Sequence, residues 1–201
     1  MRIETPPSFG MSAFALRQLE IADKPAWYEY LSIPSVYEHT SWALRCADDL
    51  DPQFSAFQST AIDSARRLAI VETKSLRLAG TIGFHTVSDT NRSAELAYDL
   101  SPEYWGRGIG AAAAAALVEW AQREYGFVRI QATVLTANRR SIRVLEKCGF
   151  QYEGLLRAYR MVRGTPGDFN MYSVVAGLPS QSSDAASTPI AGRSHAGTSN
   201  S

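Results

Sequence analysis

Three glycines spaced two apart, Gly106, Gly108 and Gly110, stand in the string WGRGIG, directly after an alternating segment and directly before AAAAAALVEWAQREYG. A strand running through such a loop into a helix gathers several backbone N–H groups at the helix N-terminus. There the free amides and the helix dipole favour an anion, and glycine lets the backbone approach it closely. The natural anion is a pyrophosphate. A nucleotide P-loop needs Lys-Ser/Thr after its last glycine, whereas Ala111-Ala112 follow here. A dinucleotide fingerprint needs G-x-G-x-x-G and an acid at the next strand end, and neither is present. Two readings are left: an acyl-CoA loop, or a plain strand-to-helix turn.

A second group of polar residues follows about thirty positions later, where VRIQATVL runs into LTANRRSIRVLEKCGF. Asn138 precedes a helix and Ser141 lies in its first turn. Taken alone, Asn138 is a helix N-cap, its side-chain oxygen satisfying an orphan N–H. A strand–helix–strand crossover from the Gly-rich loop, however, sets the two strand ends beside each other at one edge. Asn138 and Ser141 then face whatever extends from the loop.

The strings AELAYDLSPEYWGRGIG, NRRSIRVLEKCGFQYEGLLR and DFNMYSVV, with ALRQLEIADKPAWYEYL near the start, resemble the GNAT superfamily of N-acetyltransferases. Within it, the resemblance is to the ribosomal-protein N-terminal acetyltransferases of the RimJ/RimL group, and it covers nearly the whole ordered domain. It implies a mixed α/β fold with a central, mostly antiparallel sheet of six to seven strands. That sheet splays around an acyl-CoA site and is flanked by helices. The resemblance also implies acetyl-CoA as the acyl donor, no metal, and a primary amine as acceptor. By resemblance, the loop of Trp105, Gly106, Arg107, Gly108, Ile109, Gly110 and Ala111 holds the pyrophosphate, chiefly through the amides of Arg107 to Ala111. Leu100 marks where the pantetheine arm pairs with the splayed strand, and Asn138 bonds that arm. The family's loop usually begins with Gln or Arg, where this chain has Trp105.

Acyl transfer to an amine needs a neutral amine, a stabilised oxyanion and a proton for the thiolate leaving group. Glu95, on the strand that feeds the loop, is the first candidate for the base, acting through water; its other reading is an ordinary strand acid. Ser141 is the candidate acid for the thiolate, as the resemblance implies, and Tyr159 is the fallback for either proton role. Some family members carry an acid after the Glu-Gly of the sixth strand, but here the stretch is LLRAYRM. Glu153-Gly154 is expected to shape a turn or bulge. His85 is expected to be structural although it could titrate near neutrality, and Cys148 to be core rather than nucleophile.

The elements that position these residues follow from pattern. FALRQLEI is a strand, and Asp23 before Lys24-Pro25 predicts a helix N-terminus. A helical segment is expected from Phe54 to Arg67. RLAIVET and RLAGTIGFHTV form a hairpin about Lys74-Ser75-Leu76, and SAELAYDL is the strand before the loop. The alanine run predicts a long helix, with Glu119 and Arg123 as an i,i+4 pair and Gly126 as its stop. A strand to Leu135, a short helix closed by Gly149, and two last strands, FQYEGLLRAYRMV and DFNMYSVVA, complete the order.

Composition limits what else the chain can be. Its 201 residues suit one domain, with Lys+Arg and Asp+Glu balanced at 20 each. That balance offers no footprint for nucleic acid. Cys46 and Cys148 lack zinc-site spacing, and His39, His85 and His195 are scattered, so no metal is expected. The N-terminus lacks the pattern of a signal peptide. No apolar run approaches the ~20 residues that cross a bilayer, so a cytoplasmic protein without membrane contact is expected. The expected domain spans 12–177, with the first ten residues loose. From Leu178 onward the Ser/Ala/Gly-rich sequence predicts a disordered tail over 178–201. The acceptor stays open between a protein N-terminus and a small molecule such as a polyamine, amino acid or aminoglycoside. A non-catalytic acyl-CoA-binding module is a further alternative, and monomer and homodimer are both allowed.

Overall fold

The alternating segments on either side of the Gly-rich loop are strands of one sheet in the computed structural model, which describes residues 2–177. The strands are β1 (Phe14–Gln18), β2 (Arg66–Glu72), β3 (Leu78–Ser88), β4 (Ser93–Leu100), β5 (Arg129–Leu135), β6 (Gln151–Val162) and β7 (Thr165–Val175). Their spatial order is β1-β2-β3-β4-β5-β7-β6, every neighbouring pair antiparallel except β4 and β5. The helices are α1 (Lys24–Leu31), α2 (Pro34–Tyr37), α3 (Asp51–Gln58), α4 (Ile109–Glu124) and α5 (Arg139–Lys147). The tail expected over 178–201 lies outside the described residues.

Strand β2 shows how the layers are built. Its side chains alternate between faces, and both faces are covered. Leu68 and Ile70 join the core under α4, whereas Ala69 and Val71 join a second core with Trp27, Phe54 and Phe57 from α1 and α3. Trp27 is fully buried there and meets Phe54 edge-on at 5.7 Å.

Helix stops follow from glycine. Gly126, at φ 63°, follows α4, and Gly149, at φ 78°, follows α5. After α5 the Phe150 amide donates to Leu145 O at 3.0 Å and the Gly149 amide to Glu146 O at 3.1 Å, the two bonds of a Schellman close. The last hairpin turns at Arg163 and Gly164, both at positive φ, so Val162 pairs directly with Thr165. That turn is tighter than the sequence suggested.

Several local expectations fail for identifiable reasons. The helix expected from Phe54 to Arg67 ends at Gln58, and Arg66 and Arg67 open β2 instead. Arg67 is drawn into the sheet by Thr81 and Asp99, partners that no local pattern announces. Asp23 makes no cap bond to α1; it receives two bonds from Arg17 at 2.7 Å and one from the Glu20 amide at 2.9 Å. Arg123 bonds Glu124 at 3.1 Å rather than Glu119. The first ten residues are not wholly loose, since Ile3 and Phe9 are buried in the main core.

Candidate active site

The parallel pair β4/β5 is short. Only Ser93, Ala94 and Glu95 register with Arg129, Ile130 and Gln131; beyond Glu95 the two strands part. Two cavities occupy the resulting wedge. The first, about 320 Å³, lies between the end of β4, the loop and α5. The second, about 450 Å³, lies between β3 and β4 on one side and β5 on the other. Tyr98, Asp99, Asn138 and Ser141 border both, so the junction between them falls on these residues.

The first cavity is bordered by Leu100, Trp105, Gly106, Gly108, Ile109, Gly110, Ala111 and Asn138. Helix α4 opens at Ile109, two residues before the alanine run, with Gly108 as its N-cap at φ 78°. The Ala112 amide bonds Gly108 O at 3.0 Å, the bond that starts the helix, so the amides of Ile109, Gly110 and Ala111 precede it and have no acceptor within the helix. Gly106 (φ 77°) and Gly108 present open faces, for a Cβ at either would meet nothing within 4 Å. Gly110 has a different task. A Cβ there would lie 3.2 Å from Leu100 Cδ1, so its smallness seats α4 against β4. These features suit a phosphate group: amides at a helix start, positive helix polarity and two bare glycines.

Arg107 is exposed and rests over the Tyr104 ring at 5.3 Å, outside the cavity lining. Trp105, where the family pattern has Gln or Arg, donates from Nε1 to Leu100 O at 2.8 Å, and Arg140 stacks on its ring at 4.0 Å. The tryptophan therefore ties the loop back to β4. Asn138 caps α5 by accepting from the Ser141 amide at 3.0 Å.

Ser141 Oγ lies 2.8 Å from the Tyr98 phenol oxygen, and that phenol also reaches Ser141 O at 3.1 Å. Burial pushes the Tyr98 phenol far above its ordinary range, so it keeps its proton at any working pH. Asp99, next on β4, faces the opposite side of the sheet. It pairs with Arg67 at 2.5 Å, accepts from Thr81 at 2.9 Å and Trp27 at 3.2 Å, and is bonded by Tyr30. Both members of that ion pair border the second cavity.

Glu95 is nearly buried, at 4% exposure. Its Oε1 accepts from Thr133 Oγ1 at 2.6 Å and Arg160 Nη2 at 3.0 Å, with His85 Nε2 at 3.5 Å, and the carboxylate itself borders neither cavity. Tyr159 is 40% exposed on β6, packs edge-on against Phe169 and also borders neither cavity. Sequence reading missed Tyr98, Asp99, Arg67 and Arg160. Each gains its place through partners thirty or more residues away. Glu153 is the bulge foreseen in β6, where pairing with β7 slips between Tyr152 and Gly154. Cys148 packs on the main core, donating from Sγ to Ala111 O at 3.3 Å.

The family model of the Acetyltransferase (GNAT) domain matches residues 14–151, from β1 to the start of β6. The chain belongs to the GNAT acetyltransferase family. Among curated GNAT relatives, the uncharacterized N-acetyltransferase YoaA of Bacillus subtilis is 34% identical over 164 residues, 80% of this chain and 92% of YoaA. Two solved structures share the fold at low identity. The ribosomal-protein-S5-alanine acetyltransferase of Vibrio fischeri superposes with a TM-score of 0.70 at 19% identity, covering 85% of this chain and 97% of that one. The spermidine N-acetyltransferase of Vibrio cholerae, solved with CoA and spermine, gives 0.71 at 20% identity, covering 82% and 96%. This GNAT protein is thus an N-acetyltransferase. GNAT acetyltransferases take their acyl group from acetyl-CoA. Among the described residues no cluster of three or more His, Cys, Asp or Glu could hold a metal, and no helix is long and apolar enough to cross a membrane.

Proposed function

We propose that this GNAT enzyme transfers the acetyl group of acetyl-CoA to the α-amine of a protein or peptide N-terminus, as the RimJ/RimL resemblance suggests. The observation that carries the choice is the charge of the second cavity. Its carboxylates are already engaged, Asp99 by Arg67 and, just behind the wall, Glu95 by Arg160. A polyamine or aminoglycoside carries several positive charges and would need unpaired acids to replace its hydration. Each of these acids is matched by one arginine, so the wall holds no surplus negative charge for a polycation. An N-terminal α-amine carries one charge and titrates near 7.7–8.0, roughly, so it sheds that charge far more readily than an alkyl amine near ~10.4.

In this reading the loop amides and the α4 N-terminus bind the pyrophosphate, and the pantetheine arm follows Leu100 and Asn138 toward the junction. The amine nitrogen attacks the thioester carbonyl carbon, the new C–N bond forms and the C–S bond breaks. The departing thiolate takes the Ser141 hydroxyl proton. Tyr98 supports this because its single proton has two acceptors, Ser141 O and Ser141 Oγ. When that proton serves Oγ, the serine proton is freed toward the sulfur, and solvent restores it afterwards.

Acetyl-CoA turnover, read as free thiol, tests the proposal across N-terminal peptides, the same peptides with blocked N-termini, spermidine, free amino acids and an aminoglycoside. Peptides with free α-amines should give the highest kcat/KM. Spermidine turning over faster than every peptide would overturn the choice of acceptor.

A further inference from the structure

We infer that His85, the unpaired residue of a β-bulge at the border of the acceptor cavity, backed by the buried Glu95 carboxylate, is the group that takes the proton of the acceptor amine. The inference rests on the acyl-transfer reading above and assigns that reaction its base.

The geometry begins with an irregularity in the sheet. Phe84 pairs with Leu96, yet the next registered pair is Thr86 with Glu95, so His85 is the extra residue of a bulge. Alternation from Phe84, which faces the main core, puts His85 on the opposite face, where it borders the second cavity; the slip brings Thr86 to that face as well. The side chain of His85 is 34% exposed whereas that of Glu95 is 5% exposed. The pair therefore has a wet end and a dry end: substrate water reaches the imidazole and not the carboxylate. Glu95, first choice from sequence as the base, is a positioning residue here, since it acts through His85.

The charged groups facing His85 are Glu95 from β4, Arg160 from β6 and Arg67 from β2. Arginine only donates, so the 3.3 Å contact from Arg160 Nη2 to His85 Nε2 places a lone pair on Nε2 and the ring proton on Nδ1. Burial lowers the imidazole's affinity for a proton most; Arg160 and Arg67 lower it further, and Glu95 opposes them. The ring is consequently neutral and able to accept at neutral pH.

The proton balance is as follows. The ammonium form of the acceptor gives one proton, through water, to the His85 Nε2 lone pair; Arg160 Nη2 yields that contact and keeps its bond to Glu95 Oε1, which the new N–H then faces. The neutral amine attacks the thioester carbon, the C–S bond breaks and the thiolate is protonated from Ser141. The amide nitrogen loses its surplus proton to solvent, which also restores Ser141, and His85 releases its proton before the next cycle. One proton is released per turnover. A base of this modest strength matches an α-amine and falls short for an alkyl amine.

The test is thiol release from acetyl-CoA with an N-terminal peptide over a range of pH, for wild type, His85→Gln and Glu95→Gln. His85→Gln should lower kcat roughly 10²-fold at neutral pH, with the loss closing once the amine deprotonates unaided. The rise in melting temperature caused by acetyl-CoA should be unchanged. Glu95→Gln should retain an acid limb in its pH profile but move it to lower pH, because the anion that holds the imidazole's proton is gone. As a check independent of any variant's folding, the His85 imidazole of wild type, followed by NMR, should titrate at the pH of the acid limb of kcat/KM. Wild-type kcat in His85→Gln, or a mismatch between the two titrations, overturns the role of His85 alone. A wild type that binds acetyl-CoA yet acetylates no amine overturns the acyl-transfer reading, and His85's role with it.

Discussion

The phenol oxygen of Tyr98 stands 2.8 Å from the hydroxyl oxygen of Ser141, linking the strand that feeds the Gly-rich loop to the first turn of the helix facing it. Groups that act as a unit do not lose activity additively. Ser141→Ala should lower kcat by roughly 10²–10⁴-fold with acetyl-CoA affinity nearly unchanged. Tyr98→Phe should cost less, about tenfold, and the double variant should be no worse than Ser141→Ala alone. Additive losses in steady-state kinetics would separate Tyr98 from the serine's chemistry.

Gly108 sits at φ 78° with open space where a Cβ would be. Gly108→Val should strain the backbone by about 1–2 kcal/mol and fill the site where the pyrophosphate is expected. The acetyl-CoA-induced rise in melting temperature should disappear, which differential scanning fluorimetry reads directly. Asn138→Ala makes a useful contrast. Loss of its bond to the Ser141 amide should cost about 1 kcal/mol of stability, and acetyl-CoA affinity should fall as well. Stability lost with affinity intact would leave Asn138 as a cap alone.

Glu153 provides a prediction about pH rather than activity. Its carboxyl is lowered from 4.5 to about 2, first by hydrogen bonds from Arg129 at 2.5 and 2.8 Å; burial opposes them, and the Ser173 hydroxyl and the charge of Arg129 add to the lowering. A depressed folded-state value means that the unfolded chain binds the proton more readily. The stabilisation is thus fully present above pH 4.5 and is lost as pH falls toward 2. Urea midpoints of wild type and Glu153→Gln should differ at neutral pH and converge across that window. A gap that persists at pH 2 would assign the difference to something other than charge.

Much of this was legible in the chain because it is local. Gly106, Gly108 and the alanine run specify a turn and helix start within eleven residues, and Asn138 caps its own helix three residues on. What escaped was long-range. Nothing near Arg67 indicates that Thr81, Ala97 and Asp99 will bind it, and so local pattern extends the helix as far as Arg67. His85 looks structural in a plain alternating strand. Its partners Glu95 and Arg160 lie on other strands, and nothing around it in the sequence announces them. Tyr159 borders neither cavity, and alternation along β6 is broken beside it, where pairing with β7 slips between Leu156 and Arg160.

The parting of β4 from β5 after Glu95 has a metabolic consequence. Everything proposed to grip the donor, from the loop amides to Leu100 and Asn138, touches the body of coenzyme A and nothing of the acetyl group. Spent carrier and loaded carrier then compete for one berth on nearly equal terms. The enzyme's rate would follow the ratio of the two rather than the amount of either, slowing whenever acetyl units run short even while the total carrier pool stays full.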